Sequence, residues 1–458
     1  MNSTLLHCQF EFRCLNMKKF LYPLLFIMAF TLAACSDDEL PAPTVEIRVD
    51  GIANNQVLEV AQEDTLKISA HITNNQPCLY SWVMDGKEVG NFTTYRFTSK
   101  KVGKYQLSLT VTNVDGVQTT CPITIQVYGK YRNGTFVLNE GNMTGGNGTL
   151  TFISPNNVVT DSAYFKANGT QLGNAAEDLF IANKRLYVIS QNGNRNGGDG
   201  MLVIANAETL EKEAAYNEEL STLSWPTHVA VVGTNIYIRD NAGIYRFEEA
   251  NRTLTFVEGS NGAANNNMAV VKEKVFAFAD QQLLIIQDGQ LTKKIALGAP
   301  ISGIQKASEN TLWVSFNTSP AKIAKVSAID YKIMQDNTIE EGGMDPGWGT
   351  TPAFTAKGDT IYFCNNSTKI YRHLFTKKET TLMTDVKEHV ADANMNYNNP
   401  AVHPVTGEVY FTTIKGYGQD YLTNSIAVFN FNETPVLRHN FQNHTAFPAG
   451  IYFTENYK

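Results

Sequence analysis

The sequence predicts an all-β chain: an N-terminal β-sandwich of the immunoglobulin type, then a seven-bladed β-propeller closed by its N- and C-terminal strands. Three observations predict it. Residues 44–128 alternate apolar and polar side chains in short runs, the period-2 signature of half-buried strands. From residue 130 a loose four-strand unit recurs, with an aromatic near the middle of each second strand: Tyr187, Tyr237, Phe276, Trp313, Tyr362 and Tyr410, 37 to 50 residues apart. That is the period of propeller blades. Long amphipathic helical patterns are nearly absent, while 44 asparagines and 33 glycines supply the polar turns that many short strands need.

Residues 1–34 read as a lipoprotein signal peptide whose translation starts at Met17. Lys18 and Lys19 give a positive start, and the apolar run 20–34 is too short for a comfortable membrane span. The run ends in Leu32-Ala33-Ala34-Cys35, which resembles a bacterial lipobox, so Cys35 is the expected lipidation site. An ordinary secretory signal with an incidental Cys35 is the other reading. Residues 35–43 are the lipidated cysteine and its tether. Their acidic stretch Ser36-Asp37-Asp38-Glu39 resembles the surface-export signal of Bacteroidetes lipoproteins, and a plain solvated tether explains it as well. The expected location is the outer membrane, held by the lipid alone and facing outward.

In the sandwich, Leu66-Lys67-Ile68 and residues 105–111 alternate, Trp82 is the expected buried anchor, and Asp85-Gly86 a hairpin turn. Cys78 and Cys121 lie in this domain and could pair in an exported protein, leaving Cys364 alone. The sequence leaves open whether they do. Tyr80-Ser81-Trp82, Asp85-Gly86, Gly103-Lys104-Tyr105 and Leu109-Thr110-Val111-Thr112-Asn113 together resemble the PKD-like family of immunoglobulin-type domains. That resemblance implies a spacer more than a binding module.

Residues 130–458 hold six units and two remnants. Residues 448–453 look like a first strand without successors, and 134–138 like a second strand without a predecessor. Joined, they make a seventh blade and leave no long unpaired edge. Loops after second strands, and loops entering each new blade, are expected on one face around the channel. The first set contains Asn139, Asn142, Asn192, Arg239, Asn241, Asn317, Asn365, Lys415 and Tyr417; the second contains Trp225, His228, Trp348 and Tyr397. Such a rim is rich in amides and aromatics and poor in clustered charge. It suits a large flat ligand decorated with amides or hydroxyls, and not a phosphate. Asparagine also tolerates left-handed turns, so turn geometry is the stronger reading for any single one.

A net charge of −7 without a block of Lys or Arg gives nucleic acid no footprint. No His-Glu-x-x-His, phosphate-binding loop or Gly-x-Ser-x-Gly occurs, and Gly145-Gly146-Asn147-Gly148 reads as a turn. His403 is placed in a structural turn on the opposite face. His228 and His444 fall on the candidate face without partnering carboxylates, which is weak support for a metal. The expectation is a non-enzyme without cofactor or metal.

Residues 136–142, then Gly148-Thr149-Leu150, residues 165–169, Leu172-Gly173 and Asp178 resemble a family of gut Bacteroidetes surface lipoproteins with a YncE/DUF5074-type propeller. The cobalamin-capturing (BtuG-type) proteins are similar to these. The resemblance implies capture of a ligand, with cobalamin as cargo, for a TonB-dependent outer-membrane transporter. The resemblance does not assign contacts; if the amide-rich face captures a corrinoid, Trp225, Trp348, Tyr397 and Tyr417 are expected to pack against the macrocycle or its nucleotide loop. Asn139, Asn142, Asn192, Asn241, Asn317 and Asn365 are then expected to meet the peripheral amides, with Arg239 and Lys415 beside them. A glycan-binding lipoprotein of a polysaccharide-utilisation system and a protein-interaction or adhesion scaffold stay open as alternatives.

Overall fold

The structure, a computed structural model, describes residues 6–7, 39–49, 57–347, 351–432 and 434–454. The signal segment from Met17, the lipidation site Cys35 and the rim residue Trp348 lie outside the described residues. The described chain is largely strand, with one short α-helix, Ala163–Asn168, and divides into two compact units between Lys130 and Tyr131.

In the first unit, Val45–Val49, Leu66–Ile72 and Thr94–Phe97 pair in that order in one antiparallel sheet. Val57–Ala61, Gln118–Tyr128, Gly103–Asn113, Cys78–Met84 and Lys87–Gly90 form the second sheet. Alternation sets which side chains go inward. Along Gly103–Asn113, Leu107, Leu109, Val111 and Asn113 are buried and the residues between them are not. Ile47, Ile68 and Phe97 from one sheet meet Trp82, Leu109 and Ile125 from the other in a single core. Trp82 is fully buried, and its Nε1 donates to the Phe92 carbonyl at 2.8 Å. Asp85 (φ 48°) and Gly86 (φ 79°) make the two-residue hairpin turn.

Cys78, Cys121 and Cys364 are not joined in disulfides, which answers for Cys78 and Cys121 the question the sequence leaves open. The register gives the reason. Cys78 stands opposite Asn113 and Cys121 opposite Leu109, with strand Gly103–Asn113 lying between them. Two strand spacings are about 9–10 Å, beyond the roughly 7 Å Cα separation that a disulfide spans.

The second unit is built of antiparallel four-strand sheets taken in chain order: 176–216, 228–256, 269–296, 301–339, 354–385 and 395–442. In the last of these the first strand is split into Met395–Asn396 and Ala401–Val402, both paired with Val409–Ile414. A further sheet draws on both ends of the unit. Pro448–Phe453 pairs with Thr135–Asn139, which pairs with Thr149–Ile153 and then Val159–Thr160. The six marker aromatics all lie on second strands.

Counting the composite sheet as the first, apolar clusters join each sheet to the next. Leu138 packs with Leu179, Ile189 with Val229, Tyr237 with Val275, and Phe276 with Ile304. Trp313 joins Phe354, and Tyr362 joins Val409. A last cluster sets Tyr410 and Ile426 of the seventh sheet against Val137 and Ile451 of the first.

Candidate functional site

Loops after second strands and loops leading into first strands surround a cavity of about 670 Å³. They come from the face on which the strand pattern places them. Glu140, Gln191, Arg239, Asn241, Asn366 and Tyr417 belong to the first kind, and Trp225, Thr227, Asn265 and 394–398 to the second.

The mouth is aromatic. Trp225 is 57% exposed and Tyr417 60% exposed. Phe447 stacks on Tyr421 at 4.3 Å between centroids, with Tyr397 at 5.4 Å and Tyr417 at 6.4 Å. Trp225 (φ 53°) and Phe447 (φ 57°) are both left-handed, and each directly precedes a proline. The proline ring crowds the residue before it, and bulky side chains resist this conformation. Such strain costs on the order of 1–3 kcal/mol per residue and gathers at functional sites.

The floor is acidic, correcting the expectation of a rim poor in clustered charge. Glu140 follows the second strand of the first sheet, Glu177 and Asp178 open the second sheet, and all three are substantially buried. The Tyr397 hydroxyl lies 3.0 Å from each Glu140 carboxyl oxygen and donates to them. Burial raises the Glu140 pKa against that bond. Burial raises Glu177 as well, reinforced by repulsion from Glu140 and Asp178. Asp178 accepts from the Leu179 and Val229 amides at 2.9 and 3.0 Å, from the Asn267 amide at 3.1 Å and from the Tyr452 hydroxyl at 2.8 Å. Burial still pushes it up to about 7. Among the described residues, no group of three or more His, Cys, Asp or Glu side chains is arranged to hold a metal ion.

Of the residues singled out from sequence, Trp225, Arg239, Asn241, Tyr397 and Tyr417 line the cavity. Arg239 is buried and donates to the Ala263 carbonyl and the Thr227 hydroxyl, both at 3.1 Å. Asn139, Asn142, Asn192, Asn317, Asn365 and Lys415 are not among its walls. Asn139 is buried, donating to Thr149 and Thr151 hydroxyls and accepting from the Ala446 amide. Asn142 caps a local turn through Thr144, and Asn192 donates to Asn174. Asn365 (φ 47°) accepts from the Asp345 amide, Lys415 is ion-paired with Asp420 at 3.6 Å, and the Asn317 backbone is tied to Pro300. These asparagines shape loops, the turn role their chemistry allows.

His228 is buried against Thr227. His444 sits 2.9 Å from Asp161, correcting the expectation that it lacks a carboxylate partner. His403 accepts from the Val405 and Thr406 amides in a turn. Sequence reasoning missed Glu177. A signal was present: Glu177-Asp178 opens an otherwise apolar strand, where carboxylates are rare unless they have work to do.

Residues 133–454 match the family model described as "Domain of unknown function (DUF5074)". Among solved structures, a quinonprotein alcohol dehydrogenase-like protein of Bacteroides thetaiotaomicron VPI-5482 is similar over 89% of this chain and 98% of its own, at 14% identity and TM-score 0.53. BamB from Moraxella catarrhalis is similar over 58% of this chain and 87% of its own, at 13% identity and TM-score 0.35. For the dihydro-heme d1 dehydrogenase NirN the figures are 72%, 76%, 10% and 0.42. At 14% identity the first of these similarities speaks for the fold alone, a β-propeller. No curated protein matches the chain.

Proposed function

The chain belongs to the DUF5074 family, and we propose that its propeller, a closed ring of seven blades, is a non-catalytic capture domain for an amide-decorated organic ligand. A corrinoid is the proposed cargo, delivered to a TonB-dependent outer-membrane transporter. The observation that carries this reading is the share of amides in the cavity lining. Gln191, Asn241, Asn265, Asn366, Asn394 and Asn396 stand there beside exposed Trp225 and Tyr417. Each side-chain amide both donates and accepts, so a lining rich in them pairs with ligand amides in either sense. The aromatic mouth offers flat faces to a macrocycle. A whole corrinoid is larger than the cavity, so in this reading an amide-bearing edge enters and the ring rests on the mouth.

Capture from dilute solution calls for nanomolar affinity, on the order of −12 kcal/mol. Walls already fixed by hydrogen bonds and strained turns supply it with little ordering loss. The first unit serves as a PKD-like, immunoglobulin-type spacer above a Cys35 lipid anchor. Titration calorimetry with cyanocobalamin tests the cargo: no heat at high micromolar concentration removes it. Labelling with radioactive fatty acid tests the anchor, and label retained in Cys35→Ala overturns it. The exposure of Trp225 also favours a second reading, a sugar platform, which affinity electrophoresis in polysaccharide gels would separate from the first.

A further inference from the structure

Glu177 is buried, opens onto the hub cavity, and receives no hydrogen bond from any described residue. The charged groups that bear on it, Glu140 and Asp178, carry its own sign. Neighbouring donors are committed elsewhere. The Tyr397 hydroxyl from the seventh sheet goes to Glu140, and Tyr452 from the first sheet goes to Asp178. Arg239 lines the same cavity but turns its guanidinium to Ala263 and Thr227, and the carboxylate its charge responds to is Asp240. A buried carboxyl that faces a cavity and has no hydrogen-bond partner among the described residues calls for an explanation, and a ligand donor supplies one.

We propose that Glu177, with Glu140 beside it, is the recognition point for a carboxamide of the bound ligand, and that the pair rejects ligands carrying a carboxylate there. The inference rests on the capture reading and names the group the cavity floor selects. Two adjacent acids in a buried setting hold a proton between them rather than ionise together. The floor then both donates and accepts, and a carboxamide, with its own N–H and carbonyl, matches it in both senses. An ammonium group offers donors alone and needs the acids ionised. A carboxylate adds a third like charge.

The test is calorimetry of the full chain, as wild type, E177Q and E177A, with cyanocobalamin and with its monocarboxylic acids, in which one side-chain amide has been hydrolysed. Titrations run near pH 6 and near pH 10, on either side of the values to which burial raises Glu140, about 7, and Glu177, about 9. Wild type is expected to bind cyanocobalamin about tenfold or more tightly over at least one monocarboxylic acid, and to weaken toward the higher pH. E177Q is expected to bind cyanocobalamin within about threefold of wild type, to lose much of the pH dependence, the remainder belonging to Glu140, and to accept the acid more nearly equally. E177A should bind about tenfold more weakly.

Abolition of binding in E177Q points to an ionised, ammonium-seeking floor and overturns the proposal. Cyanocobalamin bound equally well by a folded E177A overturns it while leaving capture intact. Absence of binding in wild type removes the corrinoid itself, and this inference with it. If E177A fails to melt as wild type does, the pH profile of E177Q decides alone, and a profile unchanged from wild type overturns the proposal.

Discussion

Asp178 accepts hydrogen bonds from Tyr452 in the first sheet, Val229 in the third and Asn267 in the connection to the fourth, so one carboxyl fixes the inner ends of several strands at once. Tyr452→Phe deletes one of those donors without changing packing. The expected loss is about 1–3 kcal/mol, because a buried acceptor is left short of a partner. Urea unfolding measures it, and an unchanged midpoint would show that the bond contributes nothing. Glu177 behaves in the opposite way. Its folded-state pKa is raised, so its neutral form is the one compatible with folding. That contribution is complete below the ordinary carboxylate range, roughly pH 4, and is lost as pH rises through the raised value. Glu177→Gln should match wild type near pH 4 and exceed it by roughly 1 kcal/mol or more near pH 9. Parallel melting curves for the two proteins across that range would refute the assignment. Single residues were the least legible scale in the sequence. Asn139 ends the second strand of the first sheet and Asn241 follows that of the third, yet one is turned into its own sheet and the other into the cavity. Nothing in the residue type separates the two fates.

Elements were far more legible, because strand period and turn chemistry are local. The marker aromatics found the second strands, and Asp85-Gly86 found a hairpin whose two positive φ angles suit Gly and Asp. Gly86 sits at φ 79°, so Gly86→Ala is expected to destabilise the first unit by about 1 kcal/mol through backbone strain alone. Chemical denaturation followed by Trp82 fluorescence reports it. Strand order is another matter. That Gly103–Asn113 lies between the strands of Cys78 and Cys121 is a long-range fact, and alternation along a strand carries no trace of it. Reducing agent should therefore leave the melting temperature unchanged, and both thiols should titrate in the denatured protein. A drop in melting temperature on reduction would show a bond where the register places none. The left-handed Trp225 and Phe447 were visible only as aromatic-proline pairs, since their strain arises from the loops that hold them.

At the scale of the molecule, the sequence carried the strand that joins the two ends but not the chemistry that joining creates. Glu140 and Glu177 are distant in the chain and meet because the first sheet packs on the second. The composite first sheet is where the proposed ring and an open array of sheets part company. In an open array each sheet is stabilised by its neighbours in sequence, and trimming one end is a local loss. In a ring, removing residues 448–458 strips Pro448–Phe453 from Thr135–Asn139 and takes the Tyr452 donor from Asp178. It also deprives the Asn398 amide of the Pro448 and Ala449 carbonyls, and opens the cluster of Val137, Tyr410 and Ile426. These losses fall within the first sheet and at its borders with both the second and the seventh, and so compound. Together they are expected to exceed a domain's margin of about 5–15 kcal/mol. The truncated chain should lose its near-ultraviolet circular dichroism and its amide protection in all seven sheets at once. Loss of protection confined to Thr135–Asn139, with the remaining sheets intact, would mean that the sheets are stabilised one by one and that no ring holds them.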